Sequence, residues 1–390
     1  MSDKRLRIGI FVDVFFPMID GVVVVIDNYA KRLSETAEVI VFAPSARDHH
    51  YIENRPYKVV RSQKLMVMGL DYDLSMPFFD PHFRYELAHA KLDVVHIHSP
   101  FGIGMMGIQY AKKHHIPLVG TIHSQYFQDF LQKTKNRSIA ELMNKQVIKV
   151  FNNCDECWTV NQTIIDLYQG YGITKPMQIH KNATDLIPLP KDKDLELRTR
   201  LEITNDDHVF LFVGRIEVVK NVYFLLEAVN VLYQKGNKFK MLIIGIGPAM
   251  DELKERINEH GLEKTVLMLG RIEDRQLLTR YYRLAELFLF PSLYDTNSLV
   301  QIEAASQFTP TVFIRGAATA ALVTDQENGF LADNDPTQFA ELIANIMANH
   351  DLYTKVSDGC FRDLYRNWDD TVKGIELRYR QLVANHSLKK

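Results

Sequence analysis

Asp295 and Glu303 are two acids eight positions apart, in the run Pro291-Ser292-Leu293-Tyr294-Asp295-Thr296-Asn297-Ser298-Leu299-Val300-Gln301-Ile302-Glu303. The first follows an apolar run, Leu287-Phe288-Leu289-Phe290. The pattern predicts a strand, a loop carrying Asp295 and a helix carrying Glu303. Open α/β sheets bind ligands beyond the carboxyl ends of their strands, so both carboxylates are expected to face that crevice. An ionised carboxylate only accepts hydrogen bonds, which suits neutral, hydroxyl-rich ligands such as a sugar and a ribose.

A second group is cationic. Gly214-Arg215-Ile216-Glu217-Val218-Val219-Lys220-Asn221 follows another apolar run and opens a helix. Glycine lets backbone approach a ligand closely. Arg215 offers a planar fork and Lys220 a point charge, a good pair for a diphosphate. A helix N-terminus adds partial positive charge for the same anion. The plain alternative is a capped turn with two solvated cations. Gly21, after Asp20, stands in the first strand-to-helix loop and is either a second phosphate approach or a simple turn. Gly245-Ile246-Gly247-Pro248 is a similar turn without the full dinucleotide fingerprint. Three histidines, His96, His98 and His123, end two apolar runs. His123 is the one expected to meet a ligand; His96 is expected to pack. His-x-His can bind zinc, but no third and fourth ligands stand nearby in sequence, so no metal is expected.

The elements that position these groups follow from periodicity. Short β-rich runs alternate with amphipathic stretches along 390 residues, the pattern of βα units and parallel sheets. One series runs from Arg7–Val12 through Val39–Phe42, Asp93–His98 and Pro117–His123 to Glu156–Val160. After the proline-bearing stretch Leu186 to Asp194 a second begins: His208–Val213, Lys240–Ile244, Thr265–Leu269, Leu287–Phe290 and Thr311–Ile314. Two Rossmann-like domains with a cleft between them are expected. The boundaries read as 1–187, 188–366 and a terminal helix at 367–390.

Composition excludes several classes. A net charge of −2 gives no case for nucleic acid, and 46% hydrophobic with 24% charged residues is ordinary for a globular chain. No apolar run reaches the roughly 18 residues of a spanning helix. The N-terminus lacks a signal-peptide core, so a cytoplasmic location is expected. Cys154-x-x-Cys157 precedes an apolar run and reads as core. Lys112, Lys113, Lys133, Lys135, Arg137, Lys145 and Lys149 crowd one stretch interleaved with Tyr126, Phe127 and Phe130. This is either a solvated face or a basic, aromatic surface for an anionic membrane.

Taken together, the chain resembles the retaining family 4 glycosyltransferases of the GT-B fold. The resemblance spans essentially the whole length. It rests on Ile8-Gly9-Ile10-Phe11 with its Pro17 to Gly21 loop, Val94-Val95-His96-Ile97-His98-Ser99-Pro100 and Gly120-Thr121-Ile122-His123-Ser124. It continues through Val213-Gly214-Arg215 with Lys220, Pro291-Ser292-Leu293-Tyr294 before the acidic pair, and Asn328-Gly329-Phe330-Leu331. The basic stretch is similar to that of bacterial glycolipid synthases.

The resemblance implies an α/β GT-B chain whose two parallel-sheet domains face each other across a cleft. The first would be the acceptor side and the second would hold a nucleoside-diphosphate sugar. The terminal helix would cross back near Trp368. No cofactor or catalytic metal is implied. Arg215 and Lys220 would bind the diphosphate and stabilise the leaving nucleotide. Glu303 would hold the ribose and Asp295 the donor sugar. Gly21, Gly214 and the amides of Asn297, Ser298 and Leu299 would meet phosphate or sugar. Arg271 and Ile272 would lie by the base, and His123 by the sugar and the acceptor. The catalytic set is thus Asp295, His123, Arg215 and Lys220, with no protein nucleophile or base. The family's first acid is usually Glu in a Glu-Gly-Phe-Gly run; Asp295-Thr296-Asn297-Ser298 stands here. Lys181-Asn182-Ala183-Thr184-Asp185 replaces its usual Asn-Gly.

The expected activity is transfer of a hexose, from UDP-glucose first, to a membrane lipid such as diacylglycerol, at the inner face of the membrane. A polysaccharide or lipid-linked oligosaccharide acceptor is the alternative. A catalytically silent partner subunit is a different class, motivated by the altered Asp295 loop. A sugar-nucleotide epimerase is a third.

Overall fold

The structure, a computed structural model, describes residues 5–18, 20–46, 51–65, 74–190, 194–293, 295 and 298–388. The chain divides into two compact units, residues 1–182 with 368–390, and residues 183–367.

The first unit is built on a seven-stranded sheet. Its strands are β1 (Arg7–Phe11), β2 (Glu38–Pro44), β3 (Lys58–Ser62), β6 (Val94–Ile97), β7 (Leu118–Thr121), β8 (Glu156–Thr159) and β9 (Met177–Ile179). A small antiparallel pair, β4 (Lys64–Leu65) and β5 (Leu74–Ser75), lies outside it. The sheet order is β3-β2-β1-β6-β7-β8-β9, with every neighbour parallel. Parallel strands covered by helices on both faces bury both sides, so β1, β6 and β7 read as unbroken apolar runs. Phe11 stacks on Phe42 with centroids 4.5 Å apart in that core.

The second unit repeats the topology. Its strands are β10 (His208–Val213), β11 (Phe239–Ile244), β12 (Val266–Gly270), β13 (Leu287–Phe290), β14 (Thr311–Ile314) and β15 (Phe330–Ala332). They run in the order β12-β11-β10-β13-β14-β15, again all parallel. In both sheets the chain builds outward one way from its first strand and then returns to build the other way. That reversal opens a crevice at the carboxyl ends of the two central strands.

The last helix, Trp368–Ser387, belongs to the first unit. Trp368 packs edge-on against Tyr29 at 5.9 Å, and Arg32 bonds Asp369 at 2.6 Å. Glu156, buried at the start of β8, receives Arg378 and the Trp158 indole. The first unit runs to Asn182 and the second begins at Ala183, close to the expected junction at 187/188. The Thr184 amide bonds the Arg366 carbonyl, and Leu186 packs in the second core. Pro188 and Pro190 lie in the second unit, just after its start. Residues 191–193 of that stretch lie outside the described residues.

Candidate functional site

The reversal point of the second sheet lies between β10 and β13, so the loops that follow these strands meet. Lys220 reaches Asp295 across that gap, with Nζ 2.5 and 2.7 Å from its two carboxylate oxygens. Ser292 Oγ donates to Asp295 as well, at 2.8 Å. Asn221, in the left-handed region at φ 61°, donates to the Pro291 carbonyl and links the two loops again. Arg215 is mostly exposed and pairs with Glu217 at 2.5 Å. Both expected phosphate-binding cations thus stand in the same loop, each already beside an acid.

Two glycines brace this loop from behind. A Cβ on Gly245 would sit 1.8 Å from the Gly214 carbonyl oxygen, and Gly245 has φ 144°. A Cβ on Gly247 would meet the Ile216 backbone at 2.3 Å. The turn after β11 is therefore a close backbone support. At Gly214 the nearest atoms to an added Cβ are in the Phe212 ring, at 3.4 Å.

Glu303 lies on the helix Leu299–Ser306 and is only 6% exposed. Its two oxygens have different partners. Arg275 donates to Oε1 at 2.7 Å and the Tyr282 hydroxyl to Oε2 at 2.9 Å. Both partners come from the helix Arg275–Leu284, seven residues apart and so on one face. Burial first, and then the charge of Glu303, raises the Tyr282 pKa well above the usual phenol value. Asp295 and Glu303 therefore answer to separate partners, Lys220 and Arg275. Arg271, expected by the base, is exposed and pairs with Glu273 at 3.3 Å, while Ile272 packs against the second core. Ser298 and Leu299 begin the helix half-buried. Asn297, with Tyr294 and Thr296, lies outside the described residues. Arg275 and Tyr282 were missed by the sequence reading; their only signal is the two-turn spacing.

The corresponding reversal point of the first sheet lies between β1 and β6. There Asp13 accepts from Ser99 Oγ at 2.6 Å, and from the Ile103 and Gly104 amides at 2.9 and 3.4 Å. These amides open the helix Gly102–His114. Burial pushes the Asp13 pKa up, opposed by the same hydrogen bonds. Asp13 was also missed.

The histidines cluster beside it. His96 is spent structurally, with Nδ1 on the Tyr379 hydroxyl at 2.5 Å and Nε2 on Thr121 Oγ1 at 2.6 Å. His98 Nδ1 lies 2.8 Å from His123 Nε2. Desolvation lowers all three, His123 to about 4, so they are neutral near pH 7. Gly21 is exposed at the start of the helix Gly21–Thr36, and a Cβ there would meet nothing within 4 Å. Asp20 caps that helix by accepting from the Val23 amide.

Two further sequence readings are decided by burial. Cys154 and Cys157 are both buried as free thiols, and Cys154 is pushed up first by its hydrogen bond to Cys157 and then by burial. Tyr126 and Phe130, which the membrane-surface alternative would expose, are buried. They lie on the apolar face of an amphipathic helix, where Tyr126 packs against Phe101 and Phe151. The exposed apolar residues of this region are instead Ile139, Leu142 and Met143, on the helix Arg137–Phe151.

Comparison with known proteins agrees with this architecture. Residues 19–186 match the family described as Glycosyltransferase Family 4, and residues 193–359 match Glycosyl transferases group 1. An alpha-monoglucosyldiacylglycerol synthase of Acholeplasma laidlawii is 27% identical over 372 residues, covering 90% of this chain and 93% of the relative. Another, of Streptococcus pneumoniae, is 25% identical over 366 residues, covering 89% and 80%. Among solved structures, HepE of Anabaena, crystallised with UDP and glucose, superposes with a TM-score of 0.75 at 17% identity, covering 96% of this chain and 99% of its own. A family 4 domain followed by a group 1 domain, on two Rossmann-like parallel sheets, makes this chain a glycosyltransferase of the GT-B fold.

Proposed function

We propose that the protein transfers a hexosyl group from a nucleoside-diphosphate sugar, UDP-glucose first, to a diacylglycerol-type membrane lipid, with retention at the anomeric carbon. The observation that carries the donor reading is Lys220 at the second reversal point, beside Gly214 and Arg215. The two named glucosyldiacylglycerol synthases carry the acceptor reading.

In this reading Arg215 and Lys220 bind the diphosphate and neutralise the charge that grows on it as the anomeric C–O bond breaks. The Lys220–Asp295 pair opens or becomes shared as the donor enters. Asp295 then accepts from a sugar hydroxyl, and Glu303 accepts from the ribose. Gly21, Gly214, Ser298 and Leu299, with Asn297, provide backbone to phosphate and sugar, while Arg271 and Ile272 flank the base. The acceptor hydroxyl attacks on the face the leaving group vacates, and its proton passes to the departing phosphate oxygen. His123 is neutral and acts as a hydrogen-bonding group at the sugar. No residue serves as a base, and no metal takes part.

The membrane contact is peripheral in this reading. No described helix is long and apolar enough to cross a bilayer. Ile139, Leu142 and Met143 are exposed on a helix that also carries exposed Arg137, Lys145 and Lys149. A helix with apolar and basic residues together suits an anionic interface. The protein would then work at the cytoplasmic face.

The test is incubation with UDP-, GDP- and dTDP-sugars and anionic vesicles containing diacylglycerol, with products read by mass spectrometry and anomeric NMR. An α-hexosyl lipid from one donor is expected. Donor hydrolysis without lipid product would move the acceptor to a saccharide. Nucleotide binding with no turnover on any acceptor would overturn the enzyme reading in favour of a silent partner.

A further inference from the structure

Glu303 is held in an unusual way for a surface-ligand acceptor. It is buried, and among the described residues one side chain donates to each of its oxygens. A carboxylate offers about four lone-pair positions, two on each oxygen. Arg275 takes one on Oε1 and Tyr282 takes one on Oε2. Among the described residues, that leaves one position on each oxygen for a ligand. Two acceptor positions on adjacent oxygens match two hydroxyls on adjacent carbons.

We propose that Arg275 and Tyr282 are positioning residues that fix the plane of the Glu303 carboxylate, and that this fixing sets how sharply the site separates a ribonucleoside from its deoxy form. This rests on the reading of Glu303 as the ribose-binding residue.

The two partners hold the carboxylate differently. Tyr282 is fully buried, packs edge-on against Phe288 at 5.8 Å, and its carbonyl accepts from Thr309 Oγ1 at 2.6 Å. Its hydroxyl therefore has little freedom and stays protonated, a fixed donor. Arg275 stands at the first turn of its helix, whose N-cap is Asp274, and is half-exposed. Its guanidinium compensates a carboxylate whose burial alone would be costly. Because the two donors approach different oxygens, the carboxylate plane cannot turn without breaking one of them. A freely turning carboxylate would accept one hydroxyl about as well as two, and would separate ribose from deoxyribose poorly.

The experiment is calorimetric titration of the full chain with UDP, 2′-deoxy-UDP, GDP and 2′-deoxy-GDP, for wild type, Tyr282→Phe and Arg275→Gln. Wild type should bind the ribonucleotide at least ten-fold tighter than its deoxy form. In each variant that ratio should shrink several-fold, through weaker ribonucleotide binding with deoxynucleotide affinity nearly unchanged. A merely structural role would weaken both forms alike. Should Tyr282→Phe fail to fold, the half-exposed Arg275→Gln carries the test. A wild-type ratio above ten that persists in the folded variants would overturn the positioning role while leaving Glu303 at the ribose. A wild-type ratio near one would remove the ribose role of Glu303 itself, and the proposal with it. No binding of any of the four nucleotides would overturn the donor reading and everything built on it.

Discussion

At the reversal point of the first sheet a carboxylate stands where an anion would bind; at that of the second sheet an amine does. The strand orders match around both points, β3-β2-β1-β6 in one and β12-β11-β10-β13 in the other. Asp13 fills the first crevice and takes the free amides that open the helix Gly102–His114. A phosphate arriving there would meet negative charge and amides already engaged. Lys220 and Arg215 supply the opposite sign at the second crevice. The same order of strands around the two points thus carries a carboxylate at one and two cations at the other. Fold alone does not assign a function; the few side chains at the crevice do.

The largest effect that can break this contrast is at Lys220. Lys220→Ala is expected to lower turnover by about 10²–10³-fold, the scale of removing one stabilising donor from a developing charge. Steady-state rates check it, and near-wild-type kinetics would remove the diphosphate role. Glu303→Ala should weaken donor binding by about 1.5–3 kcal/mol, the scale of a hydrogen bond to a charged group; unchanged affinity by calorimetry would contradict it. Asp13→Ala sharpens the contrast from the other side. It strands buried amides and should cost about 1–3 kcal/mol of stability, while nucleoside diphosphate affinity stays at the wild-type value. Denaturant unfolding and calorimetry read the two quantities separately. A parallel loss of nucleotide affinity would show that the first crevice takes part in nucleotide binding.

The smallest expected effect is a difference in pH dependence. His123 and His180 of the first unit are held down to about 4 by desolvation, and His96 and His98 also lie well below the usual value. A histidine with a lowered folded pKa contributes stability above its unfolded value of about 6.5 and loses it as pH falls toward the folded value. His208 of the second unit is raised by its bond to Glu286, so its contribution is full below about 6.5 and lost only as pH rises through its folded value. Moving from about pH 7 to about pH 5 should therefore weaken the first unit, with His208 opposing any such loss in the second. Amide exchange at the two pH values, corrected for intrinsic rates, distinguishes the units.

Much of the fold was legible because the central strands are buried on both faces. Three strands of the two sheets were left out of the sequence reading, β3, β9 and β15, and all three are sheet edges. An edge strand is short or half-exposed, so it lacks the unbroken apolar run that betrays a central one. Lys58 and Arg61 interrupt β3, and β9 has only three residues, two of them exposed. Of the candidate site, the placement of Lys220, Asp295 and Glu303 after β10 and β13 was legible, because each stands downstream of an unbroken apolar run. Asp13, Arg275 and Tyr282 were not. Their roles depend on which elements lie alongside, and sequence spacing carries little of that. The burial of Tyr126 and Phe130 was not legible for a related reason: composition near a basic run says nothing about which helix face turns inward.

The most direct test of the contrast is amide hydrogen exchange on the full chain with and without saturating UDP. Protection is predicted in residues 214–221 and 299–303, with no change in residues 99–104 around the Asp13 bonds. Protection of 99–104 without any in 214–221 would contradict it, and would move the diphosphate to the first unit.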